Sequence, residues 1–306
     1  MKETVHNVKA STEYKRKHKA DYGHERIEIL YQDKDIVVIN KPSGMLSVPY
    51  PGSKARTALE VLEKIFRKEG SYSASHKPLT VHRLDRDTSG VMMFALHEAA
   101  QKKIMDTWHK MVTERLYRAV AENPLNPKYN LPDSGLIDEP LAQNAHHVGY
   151  VPKDGTVETV AARTNYKVVS RGTTHTLFEL SLDTGKKNQI RAHLSSKHYP
   201  LAGDENYRAK TDPFHRLALH ARTLEFVHPF TGKKMKFEVS EPEEWISYVE
   251  KGDEHPASPI WIRERKNQQS EKASEPSLPP QRISGKKSVH MDFIARGQAM
   301  GKSKHR

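Results

Sequence analysis

The sequence contains no cysteine. This absence excludes disulfide bonds, thiolate zinc sites, iron–sulfur clusters and cysteine nucleophiles, and it agrees with a reducing compartment. Apolar runs near the ~18 residues of a membrane-spanning helix are also lacking. The longest runs, residues 36–39 and 91–96, have the length of strands. The N-terminus has charges without an apolar stretch behind them, unlike a secretory signal. We therefore expect a cytoplasmic protein with no membrane partner.

Glycine-rich phosphate loops and zinc motifs are missing as well. Neither G-x-x-x-x-G-K-[ST] nor G-x-G-x-x-G occurs, which argues against a nucleotide cofactor. The 18 histidines include no H-E-x-x-H motif. The closest histidine spacings, such as His193 with His198, fit no zinc template. We therefore predict that the protein uses no metal and no cofactor.

The charge of the chain is concentrated at its ends. The 50 Lys and Arg residues outnumber the 38 Asp and Glu residues, and the formal charge of +12 is typical of proteins that meet phosphates or acidic surfaces. Residues 1–26 carry a net +3 and residues 263–306 a net +7. We predict a basic N-terminal extension (1–26), a folded catalytic domain (27–250) and a disordered basic tail (251–306), which is either solubilising or a nucleic-acid tether.

Apolar patterning in the folded region predicts an α+β protein. The runs IEILY and IVVIN are typical of two strands, with turn residues at 33–35 between them. Thr57 and Glu60 form a capping box ahead of an amphipathic helix, and Gly70 is its stop signal. Further strands are predicted at 91–96, 116–121, 176–182, 224–227 and 235–239, and helices at 100–111 and 189–196. This mixture favours a mixed, largely antiparallel sheet with flanking helices and loops.

The densest polar cluster spans residues 81–90, just before a strand-like apolar run. Asp85 has Arg83 and Arg86 as sequence neighbours. A cation near a carboxylate favours the ionised form, which a nucleophile or a general base needs. An ordinary structural Arg–Asp pair is the alternative interpretation of the same residues.

A second polar cluster, residues 182–194, combines a glycine-containing turn with a helix start. Backbone amides at a helix N-terminus, together with Lys186, Lys187 and Arg191, suit an RNA phosphate or a carboxylate of the enzyme. A solvated charged turn is the alternative. Tyr117 lies in a strand-like run, where a tyrosine by itself is typical of a core residue with a bonded hydroxyl.

Taken together and in order, these segments resemble the RluA family of RNA pseudouridine synthases. The hallmark H-R-L-D-x-x-T-S-G is complete at residues 82–90. Residues 29–49 are similar to the family's opening hairpin with its Lys-Pro-x-Gly turn, and LYRAV at 116–120 corresponds to its tyrosine motif. Residues 184–207 resemble the third motif, and residues 216–235 resemble its usual continuation. The resemblance covers about residues 29–240, nearly the whole folded region.

The resemblance implies a pseudouridine synthase fold and a cofactor-free, monomeric enzyme that isomerises uridines in ribosomal RNA or tRNA. Asp85 would be the catalytic aspartate, which attacks a flipped uridine so that the base can detach, rotate and reattach to ribose through carbon. Arg83 would occupy or support the space that the base leaves. Tyr117 would stack on the uracil and assist the final deprotonation, and Arg191 would pair with Asp85.

Two positions depart from the family pattern, because Lys186 and Asn188 stand where relatives usually have arginine and histidine. Lysine lacks the bidentate fork of arginine, and asparagine keeps a hydrogen bond but cannot be protonated. Two other functions remain compatible with these residues. One is a non-catalytic RNA-binding or ribosome-assembly factor on the same fold, and the other is a hydrolase that releases free base or sugar.

Overall fold

The computed structural model describes residues 27–251, apart from residues 51, 54, 154 and 156. The predicted N-terminal extension (1–26) and residues 252–306 of the predicted tail (251–306) lie outside the described residues, whereas Lys251 is the last residue of a helix. The strands of the described part are β1 Glu28–Gln32, β2 Ile36–Lys41, β3 Leu79–Thr80, β4 Ser89–Ala95, β5 Val112–Glu122, β6 Ser134–Ile137, β7 Ala142–Gln143, β8 Gly149–Tyr150, β9 Thr164–Arg171, β10 His175–Leu182, β11 Leu219–Val227 and β12 Lys234–Glu238. The helices are α1 Ala58–Glu69, α2 Glu98–Met111, α3 Gln189–Ser196 and α4 Glu243–Lys251, with short 3-10 turns at Pro127–Tyr129 and Glu205–Tyr207.

Ten of these strands form one sheet with the order β1-β2-β4-β11-β5-β10-β9-β6. Strand β3 pairs with β4, and β12 pairs with β11. Within the described residues the paired strands of this sheet are antiparallel, except that β4 and β11 are parallel. Strands β7 and β8 make a separate hairpin. The predicted α+β class, with a mixed and largely antiparallel sheet, is confirmed.

Strand β4 is buried on both faces, which explains its continuous apolar sequence. Side chains alternate across a strand, so Met92 and Phe94 pack in the cluster that includes α1, while Val91 and Met93 pack in the cluster that includes α2. The same alternation divides β2 between the two clusters. This half of the sheet is therefore covered by one helix on each face.

The other half of the sheet repeats the arrangement with the two remaining helices. Phe178 of β10 packs in a cluster with Ile190 of α3, and the neighbouring Leu177 packs with Trp245 of α4. Because adjacent strand residues point to opposite faces, α3 and α4 cover opposite sides of β10. The described part of the chain thus has helices on both faces of the sheet.

Helix α1 begins and ends as the sequence predicts. Thr57 Oγ1 accepts a hydrogen bond from the Glu60 backbone N–H at 3.2 Å, and Glu60 Oε2 accepts one from the Thr57 N–H at 2.9 Å. Gly70 follows the helix in a left-handed conformation, with φ of 73°.

None of the helices in residues 27–251 has both the length and the apolar character that crossing a bilayer requires.

The parallel contact between β4 and β11 joins the two halves of the sheet and requires a glycine. Ser89 pairs with His220, and Gly90 pairs with Ala221. Gly90 has φ of 114°, and a Cβ atom there would lie 2.1 Å from the carbonyl oxygen of Ala221. Ala221 is also the partner of Tyr117 in β5. This junction therefore brings the loop before β4 close to the predicted tyrosine.

Candidate active site

The four site residues predicted from the sequence line one cavity of about 370 Å³. Asp85 and Arg83 lie in the loop between β3 and β4, Tyr117 lies in β5, and Arg191 lies in α3. The Asp85 side chain is 23% exposed, so it is accessible from the cavity. Other residues in the lining are His82, Trp108, His109, Arg115, Lys186, Asn188 and Gln189.

The turn after β2 holds the backbone of the Asp85 loop on both sides of Asp85. Ser47 Oγ donates to the Leu84 carbonyl at 2.7 Å and accepts from the Leu84 N–H at 3.1 Å. Ser43 Oγ donates to the Asp87 carbonyl at 2.7 Å. These bonds fix the residue before Asp85 and a residue that follows it, which limits the positions that the carboxylate can take.

Lys41 adds a third connection between this turn and the loop. Its side chain is fully buried, and its Nζ donates to the carbonyls of Pro42 at 2.9 Å, Met45 at 2.7 Å and Arg86 at 3.0 Å. An ammonium group has three protons, and these three carbonyls accept them all. The Lys-Pro-x-Gly segment of the sequence therefore supports the Asp85 loop, a role that the sequence analysis did not assign.

The two oxygens of the Asp85 carboxylate have different surroundings. Asn188 Nδ2 donates to Oδ2 at 2.6 Å, and Arg191 Nη1 lies 3.6 Å from the same oxygen. Within the described residues, no hydrogen-bond donor to Oδ1 is found. The prediction from sequence neighbours is wrong for Arg86, because its guanidinium pairs with Asp87 at 2.9 and 3.1 Å.

Arg191 makes its closest contacts with a residue that the sequence analysis missed. Its Nε and Nη2 donate to the two oxygens of Asp204, both at 2.7 Å, and the Asp204 side chain is 1% exposed. Burial opposes the charge of Arg191, but the hydrogen bonds and charge of Asp204 raise its pKa above the ordinary value. The expected proximity of Arg191 to Asp85 is present, although the bidentate ion pair belongs to Asp204. In the sequence, Asp204 was marked only by its place within the third motif, residues 184–207.

Tyr117 and Arg83 occupy contrasting environments in the cavity. Tyr117 packs against the apolar clusters of both halves of the sheet. Burial raises the pKa of the Tyr117 phenol, so the hydroxyl is protonated near neutral pH. Arg83 is exposed, and no ion pair or hydrogen bond of its side chain is found within residues 27–251.

The second polar cluster is ordered by a glutamine. Gln189 Oε1 accepts hydrogen bonds from Thr184 Oγ1 at 2.7 Å and from the Lys186 N–H at 2.9 Å. Lys186 lines the cavity, whereas Lys187 is exposed and is not part of the lining. Of the three cations predicted here, Lys186 and Arg191 thus reach the site.

A cluster with possible metal ligands lies at the other end of β2. Asp33, Asp35 and His228 place ligand atoms within 4.8 Å of one another. His228 Nδ1 accepts the N–H groups of Phe230 at 3.3 Å and Thr231 at 3.1 Å, so the ring proton is on Nε2, 3.0 Å from Asp33. A metal-bound imidazole would have its proton on the other nitrogen. The hydrogen bonds therefore support a structural His–Asp pair.

The cavity offers nucleophilic chemistry rather than paired acid–base chemistry. Asp85 is the one carboxylate among the lining residues. Glycoside hydrolysis commonly uses two carboxylates about 5–9.5 Å apart, one of which donates a proton. The nearby Asp204 is buried and bonded to Arg191, so it does not supply the second group. The site therefore has one accessible carboxylate, and within the described residues one of its two oxygens accepts a hydrogen bond.

The fold is that of the pseudouridine synthases. A solved structure of human RNA pseudouridylate synthase domain containing 4 superposes with a TM-score of 0.57 and 23% sequence identity. The match covers 72% of this chain and 90% of that chain. The expected pseudouridine synthase fold is confirmed.

Sequence comparison identifies the family. The family model described as RNA pseudouridylate synthase matches residues 35–196. The uncharacterized RNA pseudouridine synthase YlyB of Bacillus subtilis is 34% identical over 230 residues, covering 73% of this chain and 72% of that protein. Ribosomal large subunit pseudouridine synthase D of Yersinia pestis is 30% identical, covering 73% and 70%. The chain therefore belongs to the RNA pseudouridylate synthase family and is an isomerase, as its motifs predicted.

Proposed function

We propose that this pseudouridine synthase modifies uridines of ribosomal RNA and that Asp85 is its nucleophile. The observation that carries the proposal is the lone carboxylate of the cavity lining, with one oxygen held by Asn188 and the other without a hydrogen-bond donor among the described residues. The guanidinium of Arg191 adds a positive charge beside this carboxylate, with Nη1 at 3.6 Å from Oδ2.

The reaction rearranges one nucleotide without a net change in atoms. The carboxylate of Asp85 attacks ribose C1′ and forms a bond to it as the bond between C1′ and uracil N1 breaks. The detached base rotates, and C5 forms a bond to C1′ as the bond between C1′ and Asp85 breaks. C5 then loses its proton to solvent and N1 gains one, so the product is an isomer and the carboxylate is regenerated. No second carboxylic acid is needed, because the base does not leave the site.

We also propose that the uridine is flipped out of its stack to reach Asp85. Flipping costs a few kcal/mol, which favours loops and unpaired uridines. Arg83, exposed and without a partner in the described residues, is suited to fill the vacated space. Tyr117 supplies a ring for stacking. Its raised pKa opposes a role as general base, so stacking is the better supported of its two predicted roles.

Ribosomal RNA is the favoured substrate class because one relative is named as a synthase of the large ribosomal subunit. The sequence resemblance also implied transfer RNA as a substrate. The following assay distinguishes the two substrate classes. Total RNA labelled with tritium at uracil C5, from a strain lacking this gene, is divided into ribosomal and transfer fractions and incubated with the protein. C5 loses its tritium only when it becomes the glycosidic carbon.

Wild-type protein and Asp85→Asn are compared in this assay, and RNA binding is measured for both. We expect release from ribosomal RNA with the wild type, none with the variant, and similar RNA affinity. Release from tRNA alone would contradict the substrate class, and turnover by Asp85→Asn near the wild-type rate would contradict the nucleophile. Binding without release by either protein would favour the non-catalytic alternative.

A further inference from the structure

Asn188 occupies a position where its side chain reaches the carboxylate of Asp85. We propose that Asn188 is a positioning residue for this reaction, which holds Oδ2 of Asp85 and leaves Oδ1 as the attacking oxygen. This inference rests on the proposed function, in which Asp85 is the nucleophile. Three features of the described residues support it.

The first feature is the contact itself. Asn188 Nδ2 donates to Asp85 Oδ2 at 2.6 Å, shorter than the ~2.9 Å usual for N–H···O hydrogen bonds. The other end of the same amide is also fixed, because Gly149 N–H points to Asn188 Oδ1 at 3.4 Å. The orientation with nitrogen toward Asp85 therefore satisfies both ends of the side chain, whereas a flipped amide would place oxygen against a carboxylate.

The second feature is that the Asn188 side chain does not cap α3. Asn188 is the residue before α3, and its left-handed backbone, with φ of 56°, differs from the extended backbone of a capping residue. The side chain makes no hydrogen bond to the first turn of the helix. The side chain turns away from the helix end and toward Asp85, although it is only 9% exposed.

The third feature is that Arg191, the other group close enough to hold Asp85 Oδ2, makes its hydrogen bonds to Asp204. Arg191 Nη1 is 3.6 Å from Asp85 Oδ2, but its Nε and Nη2 are 2.7 Å from Asp204. The closest donor to Asp85 is therefore the amide. Because both groups approach Oδ2, the oxygen that remains for bond formation is Oδ1, and holding one oxygen orients the other toward the cavity.

Two substitutions separate the donor from the shape of the side chain. Asn188 has φ of 56°, a conformation that glycine adopts freely and aspartate tolerates. Asn188→Gly removes the amide, and Asn188→Asp keeps its size while replacing the donor with a carboxylate that repels Asp85. The control is His198→Gly, which changes another left-handed residue, with φ of 67°, just beyond the opposite end of the same helix.

Single-turnover tritium release and RNA affinity are measured for all four proteins. We expect Asn188→Gly to lower the rate about 10- to 100-fold, the effect of losing one hydrogen bond to a charged group, with RNA affinity within about twofold of wild type. Asn188→Asp should be slower than Asn188→Gly because its carboxylate repels that of Asp85. His198→Gly should keep the wild-type rate.

A spectroscopic measurement tests the contact independently of turnover. In protein labelled with ¹⁵N-asparagine, the side-chain NH₂ signals of Asn188 are those that disappear in Asn188→Gly. We expect these signals to shift strongly in Asp85→Ala. Unmoved signals, or an Asn188→Gly rate equal to wild type in an active enzyme, would overturn the inference alone. A wild-type protein without any tritium release would instead overturn the proposed function, and with it the role of Asn188.

Discussion

Arg191 shares its charge between two carboxylates of unequal exposure. Asp204, which it binds through two hydrogen bonds, is 1% exposed, while Asp85 is 23% exposed. The buried partner fixes the guanidinium, and the remaining Nη1 faces Asp85. Asp204 therefore acts on the active site through Arg191 rather than by touching the substrate.

The first prediction concerns this buried pair. Asp204→Asn leaves Arg191 buried without its charged partner, and we expect the free energy of unfolding to fall by about 3 kcal/mol. Urea unfolding of the variant and wild type measures the difference. The matched control is Asp106→Asn, which breaks the exposed Lys102–Asp106 pair and should cost less than about 0.5 kcal/mol. Equal losses in the two variants would contradict the importance of burial.

The second prediction concerns His82, which lines the cavity, and His220, which is buried. Burial lowers the pKa of His82 to about 3 and that of His220 to about 4. His82 Nε2 accepts the Met93 N–H at 2.9 Å, which also requires an unprotonated nitrogen. In the unfolded chain both histidines titrate near ~6.5, so the unfolded state binds more protons below that pH. We therefore expect the free energy of unfolding to fall as the pH drops from about 6.5 to about 4.

Urea unfolding at pH 7, 6 and 5 measures this slope. Each histidine contributes up to about 1.4 kcal/mol per pH unit while only its unfolded form is protonated. The comparison protein is His82→Gln, whose side-chain oxygen can still accept a hydrogen bond but does not titrate. Its slope should be smaller than that of the wild type, and identical slopes would contradict a neutral His82 in the native state.

At the residue scale, local motifs revealed the site but not its contacts. Arg83, Asp85, Tyr117 and Arg191 were found from their motifs, and the structure brings them to one cavity. The pairing of Arg191 with Asp204 and the bond from residue 188 to Asp85 join different loops of the fold. Sequence proximity suggested Arg86 as the cation beside Asp85, but the Arg86 side chain points to Asp87 and pairs with it.

At the element scale, the turn after β2 and the loop before β4 form one unit. Three side chains of residues 41–47 bond to backbone atoms of residues 84–87. Such bonds satisfy buried backbone groups that have no partner in a strand. The loop that presents the carboxylate is therefore supported by the turn after β2, about 40 residues earlier in the chain.

The third prediction tests this support. Ser47→Ala removes both bonds to Leu84 and leaves its buried N–H and carbonyl without partners, so we expect a loss of about 2 kcal/mol in stability. The loop should also shift, lowering kcat about tenfold. Urea unfolding and tritium release measure the two effects. Ser53→Ala, in the exposed part of the same connection, should change neither quantity, and equal behaviour of the two variants would contradict the prediction.

Elements with strong patterns were predictable, and short or exposed ones were not. The capping box of α1 and the apolar runs of β2 and β4 are local signals, and all three were confirmed. Strands β7 and β8 have two residues each, and β6 is mostly exposed, so no apolar alternation marks them. Helix α4 was not predicted, although its two buried residues, Trp245 and Val249, are at helical spacing.

At the scale of the whole molecule, the junction between β4 and β11 unites the two halves of the sheet. Asp85 precedes β4 on one side, whereas Tyr117 and Arg191 belong to the other half. The sequence predicted the strands but not this order, because strand partners are set by contacts between distant segments. The active site therefore depends on a contact that lies in the middle of the sheet.

The fourth prediction concerns the glycine at this junction. Gly90→Ala would place a Cβ atom 2.1 Å from the Ala221 carbonyl oxygen at a positive φ, so we expect a loss of more than about 3 kcal/mol in stability and loss of activity. Thermal unfolding and tritium release test this. Gly232→Ala is the control, because Gly232 also has positive φ but open space around it, and it should cost about 1 kcal/mol. Similar losses in both variants would contradict a packing requirement at Gly90.

Strand β11 lies between β4 and β5, although it is among the last strands in the chain. During translation, β1 to β4 and then β5, β9 and β10 emerge from the ribosome before the strand that joins them. Each half can form hairpins early, but the central pairing must wait until residues 219–227 are released. The cavity is therefore completed late in synthesis, when Asp85 and the groups that surround it are first brought together.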